Sequence, residues 1–283
     1  MTTRGLPELA GKVAVVTGAG SGIGRGLARR LGAEGMRLVL ADVEPGALAT
    51  TEAELSSRGA VVHTRVTDVA DRRATDALAD AAWDTYGQVD LLCNNAGVFV
   101  GGLLWNCPPG DLDWVLGVNL HGILNGVSSF VPRMLAQGTP GHIVNTASGA
   151  GLLASAYSGP YTISKFAAVA ASECLAKDLA AVDAQIGVSV LCPGAVATAI
   201  ARSRRNHPAA GGPPLDEAAA FVEHALSETT AGGIDPDDVA KLVVDAVRTG
   251  EFLILTADSY ARQLADRADD LVARRLPRSP ALD

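Results

Sequence analysis

The sequence predicts an α/β fold in which a doubly wound parallel sheet of about seven strands carries helices on both faces. Short β-rich apolar runs alternate with longer alanine-rich segments along most of the 283 residues, and strand, helix, strand repeated in this way builds a parallel sheet. Several runs are apolar at successive positions, as in Leu38-Val39-Leu40-Ala41, the pattern of strands covered on both sides. Aromatic residues make up only 4% of the chain, so the expected core is one of Val, Leu, Ile and Ala.

Taken in order, strands are expected at residues 13–17, 38–42, 61–65, 89–93, 142–146, 188–192 and 252–255, with helices at 22–31, 45–58, 71–86, 111–134, 161–181 and 236–249. Right-handed crossovers then place helices on both faces. Asp71 can cap the third helix, Pro160 sits in the first turn before Tyr161, and Pro236 after Asp235 marks another start. Gly59 and Gly87 stand where two helices should stop. The alternation breaks once, between Thr198 and Gly233. There Arg202-Ser203-Arg204-Arg205-Asn206-His207-Pro208 is followed by Gly211-Gly212-Pro213-Pro214 and Gly232-Gly233. Its apolar content is too low for a second core, and long insertions in compact domains serve as lids or mobile loops. The expectation is one domain over residues 1–283 with a substrate lid at about 198–233.

With 48% hydrophobic and 19% charged residues, the chain is too apolar for disorder and too lightly charged for a coiled coil. Lys and Arg number 23 against 31 Asp and Glu, a net charge of -8. That balance argues against nucleic acid or an anionic membrane face and points to small molecules or protein partners. No basic segment followed by an apolar one opens the chain, and no apolar stretch approaches the ~18 residues of a membrane span; the expected location is cytoplasmic. Cys93, Cys107, Cys174 and Cys192 are scattered without a C-x-x-C pair, and His63, His121, His142, His207 and His224 show no ligand spacing. Free buried thiols and no metal are expected.

The first strand runs into Thr17-Gly18-Ala19-Gly20-Ser21-Gly22-Ile23-Gly24, and a helix follows. A pyrophosphate on a helix N-terminus needs N–H groups aimed at it and no Cβ in the way. A glycine pattern between strand and helix within a βαβ unit is therefore the dinucleotide-binding signal of a Rossmann-type sheet. Asp42 ends the second strand, 18 residues after Gly24. A carboxylate there can accept from both adenosine ribose hydroxyls and would repel the 2′-phosphate of NADP, which favours NAD; alternatively it only caps the next turn. Ser21 and Val43 are not basic, and Arg37 begins the strand roughly 16 Å away.

Asn145-Thr146-Ala147-Ser148 is followed thirteen residues later by Tyr161-Thr162-Ile163-Ser164-Lys165. Residues four apart share a helix face, so Tyr161 and Lys165 can point into one cleft. A phenol with a pKa near 10 is a poor base at neutral pH, and a nearby ammonium favours its phenolate. Such a pair could move the proton of an alcohol while its hydride leaves for a nicotinamide. Tyr157 lies four residues before Tyr161, but Pro160 argues for a helix starting near Tyr161 and leaves Tyr157 in the loop, as pocket wall or surface.

In these motifs the sequence resembles the single-domain branch of the short-chain dehydrogenase/reductase family, with T-G-x-x-x-G-I-G and Y-x-x-x-K. Asp68-Val69, Asn94-Asn95-Ala96-Gly97, Asn119, Ser148 and Pro193-Gly194 stand in the family's order. The likeness is close over roughly residues 9–198 and looser beyond. It implies Tyr161 as general acid/base, Ser148 as the group steadying the substrate oxygen, and Lys165 as the residue that lowers the tyrosine's pKa and binds the nicotinamide ribose. Asn119 would help hold a water leading from the lysine to solvent. Gly18, Ser21, Gly22, Ile23 and Gly24 would cradle the pyrophosphate, Asp42 the ribose, and Asp68 and Val69 the adenine. Asn95, Ala96 and Gly97 would shape the ledge near the ribose, and Pro193, Gly194, Val196 and Thr198 would wrap the nicotinamide. A homodimer or homotetramer through the fourth and fifth helices is implied as well.

Open α/β sheets bind ligands at the carboxyl ends of their strands. Val98, Phe99, Val100, residues 148–157 and the lid are therefore pocket candidates. Gly149, Ala150, Gly151, Leu152 and Leu153 suit an apolar ketone or secondary alcohol. Arg202, Arg204, Arg205 and His207 could engage a carboxylate or phosphate, or form a solvated face. Trp105 and Trp114 are expected as packing residues. The reading is an NAD(H)-dependent oxidoreductase interconverting a secondary alcohol and a ketone; the alternative is a catalytically silent dinucleotide-sensing protein on the same fold.

Overall fold

The computed structural model describes residues 4–209 and 212–280. Met1 of the N-terminal reading and Gly211 of the lid reading lie outside the described residues. Seven strands form one parallel sheet: β1 Val13–Thr17, β2 Arg37–Asp42, β3 Val62–Val66, β4 Leu91–Asn94, β5 Gly141–Thr146, β6 Ile186–Cys192 and β7 Leu253–Leu255. Their order is β3-β2-β1-β4-β5-β6-β7. The winding reverses between β1 and β4, so their carboxyl ends open a crevice at the switch point.

The successive apolar residues of the inner strands divide between two covered faces. Ala14, Val16, Leu38 and Leu40 pack with Leu27, Leu31, Val243 and Val247. These last come from α1 Gly22–Ala33 and α8 Pro236–Thr249. Val13, Val15, Val39 and Ala41 pack on the other side with Leu78, Phe130 and Leu175. Those belong to α3 Arg72–Tyr86, α5 Gly122–Gln137 and α6 Gly159–Ala181. α2 Pro45–Ser57 completes the α1 side beside edge strand β3.

The punctuation read from the sequence is present. The Asp71 carboxylate accepts from the Arg73 N–H at 2.8 Å, and Asp235 accepts from Asp237 N–H at 2.8 Å. Gly87 ends α3 in the left-handed region at φ 74°. α6 begins at Gly159, two residues before the expected start. Tyr157 lies in the preceding loop with φ 61°.

The expected helix at 111–134 begins earlier and is interrupted. α4 Pro109–Leu116 passes into a π-helical turn, Gly117–His121, and then into α5. The continuous run Pro109–Gln137 is long and apolar enough to cross a membrane, 29 residues at mean hydropathy 1.2, which corrects the expectation of no such stretch. It is a core helix: half of its most apolar window is buried. Two helices were not expected. α7 Glu217–Ala231 lies within the 198–233 segment, capped by Asp216 accepting from Ala219 N–H at 2.8 Å. α9 Ser259–Val272 follows the last strand.

Cys93 and Cys192 are buried thiols, as expected, whereas Cys107 is half-buried and Cys174 exposed on the solvent side of α6. Trp114 is buried, but Trp105 is 80% exposed and packs nothing inward.

Candidate active site

The turn after β1 opens onto the N-terminus of α1, where orphan N–H groups and the helix dipole favour an anion. Gly18 holds φ 66°, and a Cβ there would stand 2.8 Å from Ala96 Cα, so only glycine lets the two loops meet. Gly24 faces inward: a Cβ would strike the Gly18 carbonyl, the close helix–strand contact this position exists to make. Gly18, Ser21, Gly22 and Ile23 line a cavity of about 800 Å³ that runs along the carboxyl ends of the strands.

Asp42 does both things the sequence left open. It lines that cavity, and it accepts from Gly20 N–H at 2.8 Å and from Glu44 N–H at 2.9 Å. The fold also brings a basic side chain to this end that sequence spacing did not reveal. Arg205 Nη2 lies 2.6 Å from Glu44 Oε1, and Asn206 Nδ2 donates to the same oxygen at 2.8 Å. These bonds hold the Glu44 carboxyl below its usual range against the opposing effect of burial. Arg37 sits at the far end of the sheet as expected, its guanidinium 5.2 Å from the Tyr86 ring centre. Asp68 and Val69 line the cavity next to Asp42.

A polar ladder crosses the strand ends. Asn95 Nδ2 donates to the Thr17 carbonyl at 3.0 Å, and Thr146 Oγ1 donates to Asn95 Oδ1 at 3.1 Å. Lys165 Nζ donates to the Thr146 carbonyl at 2.9 Å. Asn95, Ala96 and Gly97 form one cavity wall, and Pro193, Gly194, Val196 and Thr198 form part of the opposite one.

Ser148, Tyr161 and Lys165 line the same cavity. Ser148 Oγ accepts from Ala150 N–H at 3.1 Å and stands near enough to the Tyr161 phenol to favour its ionised form. Lys165 Nζ stands 5.7 Å from the Tyr161 ring centre, as four-residue helical spacing requires. The expected lowering of the phenol's pKa is not what the pocket produces. Burial deep in the cleft pushes Tyr161 up to about 12, and Ser148 only partly opposes it. Burial also pulls Lys165 down to about 8. Desolvation disfavours both charges and is the largest effect on each group.

Asn119 lies outside the cavity wall. It sits in the π-helical turn and is fully buried. Its Oδ1 accepts from Val98 N–H at 2.8 Å, and its Nδ2 donates to the Val98 carbonyl and to Ser164 Oγ, each at 2.9 Å. The side chain thus ties the β4 loop to α6. A Cβ on Gly97 would stand 3.4 Å from both Asn119 Oδ1 and Lys165 Nζ, which places Asn119 beside the lysine.

The basic run is engaged mainly by the protein itself. Arg204 Nη1 donates to Asp111 Oδ2 at 2.9 Å, and His207 Nε2 lies 3.2 Å from Asp111 Oδ1. Ser203 Oγ accepts from Phe99 N–H at 2.8 Å. Phe221 and Val222 line the cavity from α7, within the segment 198–233 expected to contribute to the pocket, whereas sequence reading did not anticipate Tyr260 of α9. Phe99 packs at 5.1 Å from the Tyr161 ring, and Tyr157 meets Phe221 edge-on at 6.2 Å.

Comparison with known proteins agrees with this geometry. The short chain dehydrogenase family profile matches residues 12–209. C alpha-dehydrogenase of Sphingobium sp. strain SYK-6 is 35% identical over 256 residues, covering 88% of this chain and 82% of its own. 1-Deoxy-11-beta-hydroxypentalenate dehydrogenase of Streptomyces exfoliatus is 36% identical over 262 residues, covering 92% and 88%. A short chain dehydrogenase/reductase from Burkholderia phymatum, solved in complex with NAD, superposes with a TM-score of 0.95 at 42% identity, covering 98% of this chain and 99% of that one. With a seven-stranded sheet of matching extent and a profile match spanning the glycine turn, Ser148, Tyr161 and Lys165, this chain belongs to the short-chain dehydrogenase family.

Proposed function

We propose that this oxidoreductase interconverts a secondary alcohol and a ketone with NAD(H), using Tyr161 as general acid/base. The observation that carries the reading is a single cavity in which the glycine turn and Asp42 lie at one end and Ser148, Tyr161 and Lys165 at the other. NAD is the dinucleotide, as in the similar Burkholderia phymatum structure. The residues present fit it: a glycine-cleared helix N-terminus for the pyrophosphate and a carboxylate at the end of β2 for the ribose. Ser21, Gly22, Ile23, Asp42, Asp68, Val69, Asn95, Ala96, Gly97, Pro193, Gly194, Val196 and Thr198 would hold it. When bound, the nicotinamide accepts or supplies the hydride.

The protein's own work is proton transfer and placement. A phenol pushed up to about 12 is neutral at physiological pH, so Tyr161 is set to donate to a ketone oxygen. Ser148 holds that oxygen and steadies the charge that develops on it. The Lys165 ammonium, below its pKa of about 8, favours the phenolate left behind. Asn119 fixes the loop and helix that carry these groups. Segment 198–233 serves as the lid over the substrate end, and Leu124, Leu135 and Ile163, exposed on α5 and α6, suit a homodimer or homotetramer.

Absorbance at 340 nm, followed with a panel of secondary alcohols plus NAD and ketones plus NADH, tests the reading. Turnover that is lost in Tyr161→Phe supports it. Tight dinucleotide binding with no turnover across the panel would instead favour the sensing protein.

A further inference from the structure

Nothing in the sequence pattern marked residues 256–280, yet they close the reacting end of the cavity. Thr256 Oγ1 accepts from Gly194 N–H at 2.9 Å. The Tyr260 ring then lies against two glycines. A Cβ on Gly194 would stand 2.8 Å from the Tyr260 hydroxyl, and one on Gly149 would stand 2.5 Å from its ring. Gly149 follows Ser148 directly, and its N–H donates to the Pro193 carbonyl at 2.8 Å. The ring is therefore seated on the loop that carries Ser148, in a slot that only glycines leave open.

α9 is anchored to keep it there. Arg267 lies 5.2 Å from the Phe166 ring centre on α6. Asp270 is 4% exposed; it pairs with Arg275 at 2.9 Å and with Arg278 Nε at 3.0 Å, and accepts from Arg278 N–H at 3.2 Å. This clamp folds the chain back so that Ser279 and Pro280 also line the cavity.

The chemistry of this end is one-sided. Of the charged cavity residues, Asp42, Glu44, Asp68 and Arg205 gather at the ribose end, Asp113 is an exposed anion on α4, and Lys165 is tied to the Thr146 carbonyl. Around Ser148 the wall is neutral: Phe99, Gly149, Leu153, Phe221 and Tyr260. A carboxylate or phosphate placed here would lose its water without gaining a partner, whereas a flat ring finds aromatic faces and edges.

We propose that Tyr260 is a specificity-determining residue selecting uncharged aromatic or alicyclic ketones and alcohols, and that the Asp270–Arg278 clamp is the positioning device that seats it. This rests on the dehydrogenase reading, and the test separates the two. Binding of α-tetralone, its carboxylated analogue and 2-butanone to the NAD-loaded protein, which has no hydride to give them, is measured by calorimetry, alongside turnover of each with NADH. Tyr260→Ala is expected to weaken α-tetralone binding about tenfold more than 2-butanone binding, ~1.4 kcal/mol of discrimination, while the carboxylated analogue binds poorly to both proteins. Asp270→Asn is expected to weaken α-tetralone in the same sense and to speed tryptic cleavage after Arg274 and Arg275. Tyr260→Leu, which refills the slot, controls for collapse of the loop and should restore fold but not ring preference. Unchanged discrimination in the Tyr260 variants, or tight binding of the carboxylated analogue, overturns the inference. Ring-selective binding without any turnover would overturn only the dehydrogenase reading.

Discussion

Lys165 Nζ lies 5.7 Å from the centre of the Tyr161 ring and donates at 2.9 Å to the Thr146 carbonyl. The lysine is thus positioned by the end of β5 and not by the phenol. Its charge is shared with a carbonyl dipole, and the phenol answers chiefly to its own burial and to Ser148. The first expected outcome concerns that phenol. Tyr161→Phe removes the only ionisable group of the side chain, so kcat should fall by about 10²–10⁴, while NADH affinity, read by fluorescence titration, should hold. Tyr157→Phe should instead act mainly through KM, because Tyr157 is a cavity wall residue packed on Phe221.

The two pKa values set a pH dependence of definite sign. Tyr161 at about 12 stays protonated through the working range, so ketone reduction keeps its proton donor. Lys165 at about 8 loses its charge above that pH. Reduction should be level below about pH 8 and decline above it. Alcohol oxidation needs the phenolate, so it should rise with pH until loss of the ammonium opposes it. In Lys165→Arg the cation persists at every working pH, and the decline near pH 8 should vanish from whatever activity remains. A profile that declines at the same pH in that variant would remove Lys165 from the account.

Dinucleotide preference should respond to Asp42 and Glu44 together. Asp42→Asn removes the charge that repels a 2′-phosphate and keeps an acceptor for one of the Gly20 and Glu44 amides, which bond different carboxylate oxygens. Glu44→Gln frees Arg205 from its 2.6 Å ion pair at the same end of the cavity. The double variant should lower the NAD-to-NADP ratio of kcat/KM by about tenfold or more, roughly 1.4 kcal/mol, and by more than either single change.

What the sequence made legible follows from range. The inner strands declared themselves because both of their faces are covered, so Val, Leu and Ile recur at successive positions, whereas edge strand β3 (Val62-His63-Thr64-Arg65-Val66) is only partly covered. The glycine turn, Ser148, Tyr161 and Lys165 were readable because each motif is local, a few residues on one strand end or helix face. α7 was not: Phe221 and Val222 face the cavity, and without a stripe aimed at the sheet the helix carries no core period. α9 hides likewise, polar along most of its length, with Asp270 as its one buried side chain. Arg205 against Glu44 and Arg204 against Asp111 join residues 161 and 93 positions apart, and no local spacing encodes such pairs. The lowered tyrosine pKa failed for a related reason. Helical spacing brings a cation close, but only the surrounding fold decides how dry the site is.

The last expected outcome concerns the segment over the substrate end. Arg204 and Asp111 have side chains only 11% and 4% exposed. Arg204 also donates to the Pro213 carbonyl at 2.7 Å, and His207 adds a second contact to Asp111. One buried carboxylate on α4 therefore holds Arg204 and His207, and Arg204 in turn holds the Pro213 carbonyl. Removing one partner of a buried pair costs about 3–5 kcal/mol because the other charge is left unpaired, whereas replacing both by apolar groups can be nearly neutral. Asp111→Ala should therefore raise the substrate KM and accelerate amide exchange across residues 200–230, with smaller changes in β1 and β4. Asp111→Leu with Arg204→Met should recover most of the lost stability. If it recovers KM as well, the pair matters only as a fastener; if KM stays high while exchange returns to normal, Arg204 has a second role facing the ligand. Exchange that rises evenly over the whole sheet in Asp111→Ala would mean that segment 198–233 does not move as a separate lid.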